Sequence, residues 1–213
     1  MPRIPRGQVA GHAYHILNRG NGGATVFRKD GDYTAFLNLL AIAKAKYPVK
    51  LFGVCLMPNH FHLVVQPATD AALSPFMQWW MTSHVRRYHQ HYRSSGHVWQ
   101  GRFKSFPIQQ DGHLLIALHY VLRNPVRAGL VEHAMDWPWS SLRLPHLRDP
   151  LPVETPIEWL QGIDQPLFAH ELTLLRTCVN RQQPFGTTGW QATTAGLSST
   201  LQKRGRPRTL PEK

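Results

Sequence analysis

The chain has 213 residues, enough for one domain of ordinary size with a small appendage, and a formal charge of +12 from 24 Lys and Arg against 12 Asp and Glu. No apolar run reaches membrane-spanning length and no secretory apolar segment is found, which argues against a membrane protein and leads us to expect a cytoplasmic one. Cys55 and Cys178 are isolated, without ligand or redox spacing, so a disulfide scaffold is excluded and a reducing compartment expected.

Ala13 to Asn18 reads as a first strand, closed by the turn Arg19-Gly20-Asn21-Gly22-Gly23. Asp32 can cap a helix over Tyr33 to Lys46, with Phe36, Leu39, Leu40 and Ala43 on one stripe and Pro48 ending it. Lys50 to Met57 and His60 to Gln66 read as two strands joined at Pro58-Asn59, most simply a hairpin. Ser74-Pro75 starts a second helix that runs to about Tyr92, and Val98 to Ile108 holds a fourth strand. Strand, helix, strand, strand, helix, strand is the split βαβ order. The fold class expected is therefore α+β and ferredoxin-like: an antiparallel four-stranded sheet with helices on one face and the other face open.

Asp111 then caps a third helix over His113 to Arg123, in which Tyr120 and Asn124 lie four apart and project together; Pro125 ends or kinks it. From Pro150 the texture changes, with Pro152, Pro156 and Pro166 marking a linker, Ala169 to Val179 a short amphipathic helix, and a basic run at the end. We divide the chain into a main domain, 1–149, and an extension, 150–213.

His60 and His62 alternate along the third strand, so they share one face, while Phe61, Leu63 and Val65 take the other. Two imidazoles about 6–7 Å apart along a strand can grip one divalent ion, although a polar outer face that happens to carry two histidines explains the pair equally well. The charge is also unevenly spread. Between Tyr33 and Gln110 the only acidic residue is Asp70, yet Arg86, Arg87, Arg93, Arg102 and Lys104 fall in this stretch. Such a surface attracts polyanions, nucleic acid first among them.

His60-Phe61-His62 matches the HUH nuclease signature, and Tyr120-Val121-Leu122-Arg123-Asn124-Pro125-Val126-Arg127-Ala128-Gly129 resembles the catalytic-tyrosine helix of single-tyrosine HUH transposases. Within that superfamily the chain resembles the REP-associated tyrosine transposases, of the IS200-like group. His15 to Gly20, Cys55 to His62, Trp99 to Ser105, Trp137 to Ser141, Pro184-Phe185-Gly186 and Arg204-Gly205-Arg206-Pro207-Arg208 support the resemblance over most of the chain. One departure is His119, which precedes the tyrosine where an arginine is usual.

The resemblance implies a bacterial, nucleoid-associated enzyme that cleaves and rejoins single-stranded DNA carrying REP-like hairpins. Residues 1–149 would be its catalytic domain, and 150–213 an extension with a basic DNA-binding tail. Tyr120 would be the nucleophile, forming a 5′-phosphotyrosine link and freeing a 3′-hydroxyl. A phenol ionises near pH 10, so it is a better leaving group than an alkoxide, and the link conserves the reactivity of the phosphodiester. His60 and His62 would hold Mg²⁺ or Mn²⁺. Asn124 is either a third ligand through its carbonyl oxygen or the cap of the next helical turn.

The basic residues Arg19, Arg86, Arg87, Arg123 and Arg127 are candidate DNA contacts. Arg102 and Lys104, read as alternating on the fourth strand, either bind backbone phosphates or decorate a solvated edge. Trp99 either stacks on an unpaired base or belongs to the core. Arg204, Arg206 and Arg208 form either a minor-groove hook or a tail that adds affinity. The resemblance leans toward a monomer over a homodimer, with no small-molecule cofactor and no membrane partner. Two other classes compete: a non-catalytic nucleic-acid-binding module on the same sheet, and a zinc hydrolase, which would need a further strong ligand and an acidic base.

Overall fold

The structure is a computed structural model that describes residues 8–194. Its elements are β1 (Ala13–Arg19), α1 (Asp30–Lys46), β2 (Val49–Met57), β3 (His60–Pro67), α2 (Leu73–Tyr92), β4 (Lys104–Ile108), α3 (Gly112–Leu122), α4 (Asn124–Arg127), α5 (Ile157–Gln161), α6 (Ala169–Arg181) and α7 (Thr188–Thr194). The strands form one antiparallel sheet in the order β2-β3-β1-β4, the ferredoxin-like arrangement expected from the sequence.

Alternation along the strands separates two cores. Tyr14 and Ile16 of β1 and Phe61, Leu63 and Val65 of β3 meet Phe36 and Leu40 of α1 and Phe76 and Trp80 of α2. The Trp80 ring stacks 4.2 Å from that of Phe36, and its indole N–H donates to Phe36 O. On the other face Phe52, Val64 and Phe106 pack against Leu114, Leu118 and Val121 of α3 and Leu175 of α6. That face is therefore not open, as the sequence led us to expect. The strands carry apolar side chains on both faces, and the second set is buried only when the later helices fold back over it.

Two local expectations need correction, at Asp32 and Arg102, and one open alternative, at Trp99, is decided. Asp32 is the third residue of α1 rather than its cap; its carboxylate accepts from the backbone N–H groups of Arg28 and Lys29 and from the Tyr92 hydroxyl. The fourth strand begins only at Lys104, so Arg102 lies in the preceding loop and does not alternate with it on a strand. Trp99 is 5% exposed and packs against Phe27, Phe36, Phe61 and His84, which settles it as a core residue.

Both outer strands are covered. Trp139 O accepts from Leu56 N, and Ser141 bonds to Val54 through its backbone N–H and its hydroxyl, so 139–141 shields β2. Phe185 bonds to Pro107 and Gln109 beside β4. Leu151, Leu175, Cys178 and Phe185 of the later segment thus pack onto the sheet and α3. No helix among the described residues is long and apolar enough to cross a membrane.

His84 of α2 gives the fold an acid-sensitive point. It is 2% exposed, and its Nδ1 has no partner. Burial, reinforced by the nearby Arg87 charge, lowers its pKa from 6.5 to about 3. The unfolded chain takes up this proton near the ordinary value, whereas the folded chain resists it, so the associated stability is present above that value and is lost as pH falls toward the folded pKa. The slope is about 1.4 kcal/mol per pH unit. His84→Phe should therefore lose about 2 kcal/mol less than wild type between pH 7 and pH 5. Urea unfolding at the two pH values checks this; parallel losses in both proteins would refute it.

Candidate active site

His60 and His62 stand at the start of β3 on the face that α3 covers. In the register with β1, Arg19 lies opposite His60, Leu17 opposite His62 and His15 opposite Val64. His60 is half-buried and His62 is 3% exposed. The ring centroids are 5.0 Å apart and nearly perpendicular. His60 Nδ1 lies 2.7 Å from Asn59 Oδ1, and His62 Nδ1 lies 2.8 Å from His15 Nε2. Nε2 of each ring stays outside the hydrogen bonds of the described residues. Burial, with the charges of Arg19 and Arg127 adding to it, lowers the His60 pKa to about 4. Burial, then His15, His60 and Arg127, hold His62 well below the ordinary histidine value. Both rings are thus neutral at neutral pH, the form that carries a lone pair for a metal ion.

Helix α3 brings Tyr120 to this pair. It starts at Asp111, whose carboxylate accepts from His113 N as expected, and lies close against β2. Gly53 of β2 makes room for it: a Cβ there would stand 2.7 Å from Leu118 Cδ2. The Tyr120 ring centroid is 5.9 Å from that of His62 and 6.3 Å from that of His15. Its hydroxyl has no hydrogen-bond partner among the described residues, whereas a buried tyrosine kept for structure usually has one. Nucleophile candidate and histidine pair therefore come together within one chain.

Asn124 is fully buried one turn beyond Tyr120. Its Oδ1 accepts from Arg127 Nη2 at 2.5 Å and its Nδ2 has no partner among the described residues. It makes no capping bond to the short α4. The Arg127 guanidinium also sits 5.3 Å from the Tyr120 ring centroid. Arg127 thus lies among Tyr120, Asn124 and the histidines, a centrality that its place in the sequence does not reveal.

These donors suit a divalent ion: two neutral imidazoles and one carboxamide oxygen, the set expected for Mn²⁺ and acceptable to Mg²⁺. The unpartnered, buried Nδ2 agrees with an amide fixed for its oxygen rather than for bonds of its own. Among the described residues no cluster of three or more His, Cys, Asp or Glu side chains is placed to hold a metal.

The other candidates are scattered. Arg19 is exposed beside His60. Lys104 pairs with Leu17, itself opposite His62, so it shares the histidines' face. Arg102 is exposed in its loop. Arg86 and Arg87 lie on α2, which packs on the far side of the sheet. Arg123 donates through Nε to Asp164 O, and the neighbouring His119 bonds to Gln165 O, so both anchor the segment leading to α6. Arg204, Arg206 and Arg208 lie outside the described residues. Sequence reasoning did not single out His15 as a site residue, although its alternation with Tyr14 and Ile16 puts it on the histidines' face.

Residues 8–124 match the sequence profile of the family described as "Transposase IS200 like". The chain belongs to the IS200-like transposase family. A Haemophilus influenzae protein named as a REP-associated tyrosine transposase is 35% identical over 106 residues, which cover 45% of this chain and 60% of that protein. The matched region thus spans about 60% of the length of that relative. The solved structure of a REP-associated tyrosine transposase bound to a REP hairpin superposes with a TM-score of 0.55 at 18% identity, covering 74% of this chain and 93% of that one. At that identity the likeness is one of fold. In this IS200-like transposase the family match takes in β1 to α3, hence both histidines, Tyr120 and Asn124.

Proposed function

We propose that this IS200-like transposase binds single-stranded DNA with REP-type hairpins, and cleaves and rejoins it through a 5′-phosphotyrosine formed by Tyr120. The observation that carries the reading is the Tyr120 ring, its hydroxyl unpartnered, set 5.9 Å from His62 in the same chain. The relative named as a REP-associated tyrosine transposase, and the related fold solved with a REP hairpin, favour that substrate over other single-stranded DNA.

His60, His62 and Asn124 would hold Mg²⁺ or Mn²⁺, which when bound supplies a Lewis acid against the non-bridging oxygens of the scissile phosphate. Tyr120 forms the new bond from its phenolic oxygen to phosphorus as the bond to the 3′-oxygen breaks, and a proton passes from the phenol side to the released 3′-hydroxyl. The 3′-hydroxyl of a second strand end reverses the step, so rejoining needs no nucleotide cofactor. Arg127 and Arg19 place positive charge beside the histidines, where the phosphate must lie. Lys104 extends that charge along the same face. Because one chain supplies every site residue, a monomer suffices for cleavage. A zinc hydrolase is disfavoured, since among the described residues no third His, Cys, Asp or Glu accompanies the histidines.

The test is a denaturing gel of the protein with labelled single-stranded hairpins taken from the DNA flanking its own gene, with Mg²⁺ or Mn²⁺. Label that migrates covalently with the protein, and only with metal, supports the reading. Tight binding without metal-dependent cleavage or adduct on any such hairpin would make the protein a binding module instead.

A further inference from the structure

His15 lies fully buried on β1, opposite Val64 and next to His62 on the same sheet face. Its ring meets that of His62 edge to edge and nearly coplanar, with centroids 5.0 Å apart and 24° between planes, and Phe106 packs against it edge-on at 4.9 Å. Its Nε2 meets His62 Nδ1 at 2.8 Å, while its own Nδ1 is buried without a partner.

Two neutral imidazoles that share one hydrogen bond have two arrangements. If His15 donates from Nε2, then His62 carries its proton on Nε2 and has no lone pair there. If His62 donates from Nδ1, then its Nε2 is a free lone pair pointing away from the bond. Only the second arrangement makes His62 a metal ligand. It needs an acceptor at His62 Nδ1, and His15 Nε2 is the acceptor the described residues supply.

The cost of this device is visible in the same ring. A buried nitrogen without a partner destabilises the fold and gives no packing in return. The cross-strand neighbours Val64 and Phe106, both apolar and buried on the same face, show that an apolar side chain would suit the site structurally. A histidine here is explained by what its other nitrogen does for His62.

We propose that His15 is a positioning residue that fixes the His62 tautomer and ring orientation, and so sets the affinity of the His60–His62 site for a divalent cation. The inference rests on the metal reading given above. Outer partners of metal-bound histidines typically account for 10–100-fold in metal affinity.

The experiment titrates Mn²⁺ into the full-length protein, following free Mn²⁺ by electron paramagnetic resonance, and measures thermal unfolding without metal. His15→Phe should weaken Mn²⁺ binding by about 10–100-fold, while its Tm stays equal to that of wild type or rises, because the orphaned nitrogen is gone. His15→Gln places an amide oxygen near the position of Nε2 and should recover most of the affinity. A purely structural His15 predicts the reverse, a lowered Tm with no rescue by glutamine, and that result overturns the proposal. So does unchanged Mn²⁺ affinity in His15→Phe, or failure of His15→Phe to fold. If wild type itself binds no Mn²⁺ and forms no adduct, the metal reading falls and this inference falls with it. Wild-type binding that is indifferent to His15 removes this inference alone.

Discussion

Tyr120→Phe is expected to abolish the covalent protein–DNA adduct and to reduce hairpin cleavage by about 10³-fold or more, the scale on which loss of a nucleophile acts. Hairpin affinity should stay within about two-fold, because the change removes one oxygen from a residue whose ring remains in place. Folding should be spared as well. The hydroxyl has no hydrogen-bond partner among the described residues, so its loss leaves no buried group unpaired, and the apolar contacts of Tyr120 with α3's core are kept. A denaturing gel measures the adduct, and native gel shift with urea unfolding supplies the controls. Adduct formation at wild-type level in Tyr120→Phe would remove Tyr120 from the chemistry and with it the reading of the site.

The second large effect falls on His60→Ala. His60 is half-buried and its Nδ1 bonds only to the neighbouring Asn59 side chain, so truncation costs the fold little. It removes one of two imidazole donors, and Mn²⁺ affinity should drop by more than about 100-fold, beyond the range typical of an outer partner. Cleavage should fall with it and recover only in part at raised metal concentration. His62→Ala is a less clean experiment. It would leave His15 buried with neither nitrogen bonded, adding a folding penalty of roughly 1–3 kcal/mol to the loss of the ligand. Metal titration separates the cases: unaltered Mn²⁺ affinity in a folded His60→Ala would show that the ion is held elsewhere. The low His60 pKa, about 4, also predicts that metal binding survives to about pH 5, where an ordinary histidine would already be protonated.

Much of the site was legible because local periodicity encodes direction. A spacing of two on a strand puts His60 and His62 on one face, and a spacing of four brings Tyr120 and Asn124 to one side of their helix segment. The same periodicity misled at Arg102, since β4 starts at Lys104, six residues into the stretch that reads as strand. Periodicity also does not separate the two roles open to Asp32. A carboxylate near a helix start can serve as a cap or reach back from the third position, and only the backbone of Arg28 and Lys29 decides between them.

The sequence by itself therefore determined the order of elements, the hairpin of β2 and β3 and the shared face of the histidine pair, because each depends on residues within one element or one tight turn, while the choice of Tyr120 as candidate nucleophile came from the family resemblance of its helix. Only the tertiary structure decided that the second sheet face is covered, that Tyr120 reaches its own chain's His62, that His15 stands behind that histidine, and that Arg127 sits among the site residues while Arg123 is tied to Asp164. These contacts join elements far apart in the chain. They are set by which apolar faces must be buried together, and no single stretch of sequence specifies its partner in that packing.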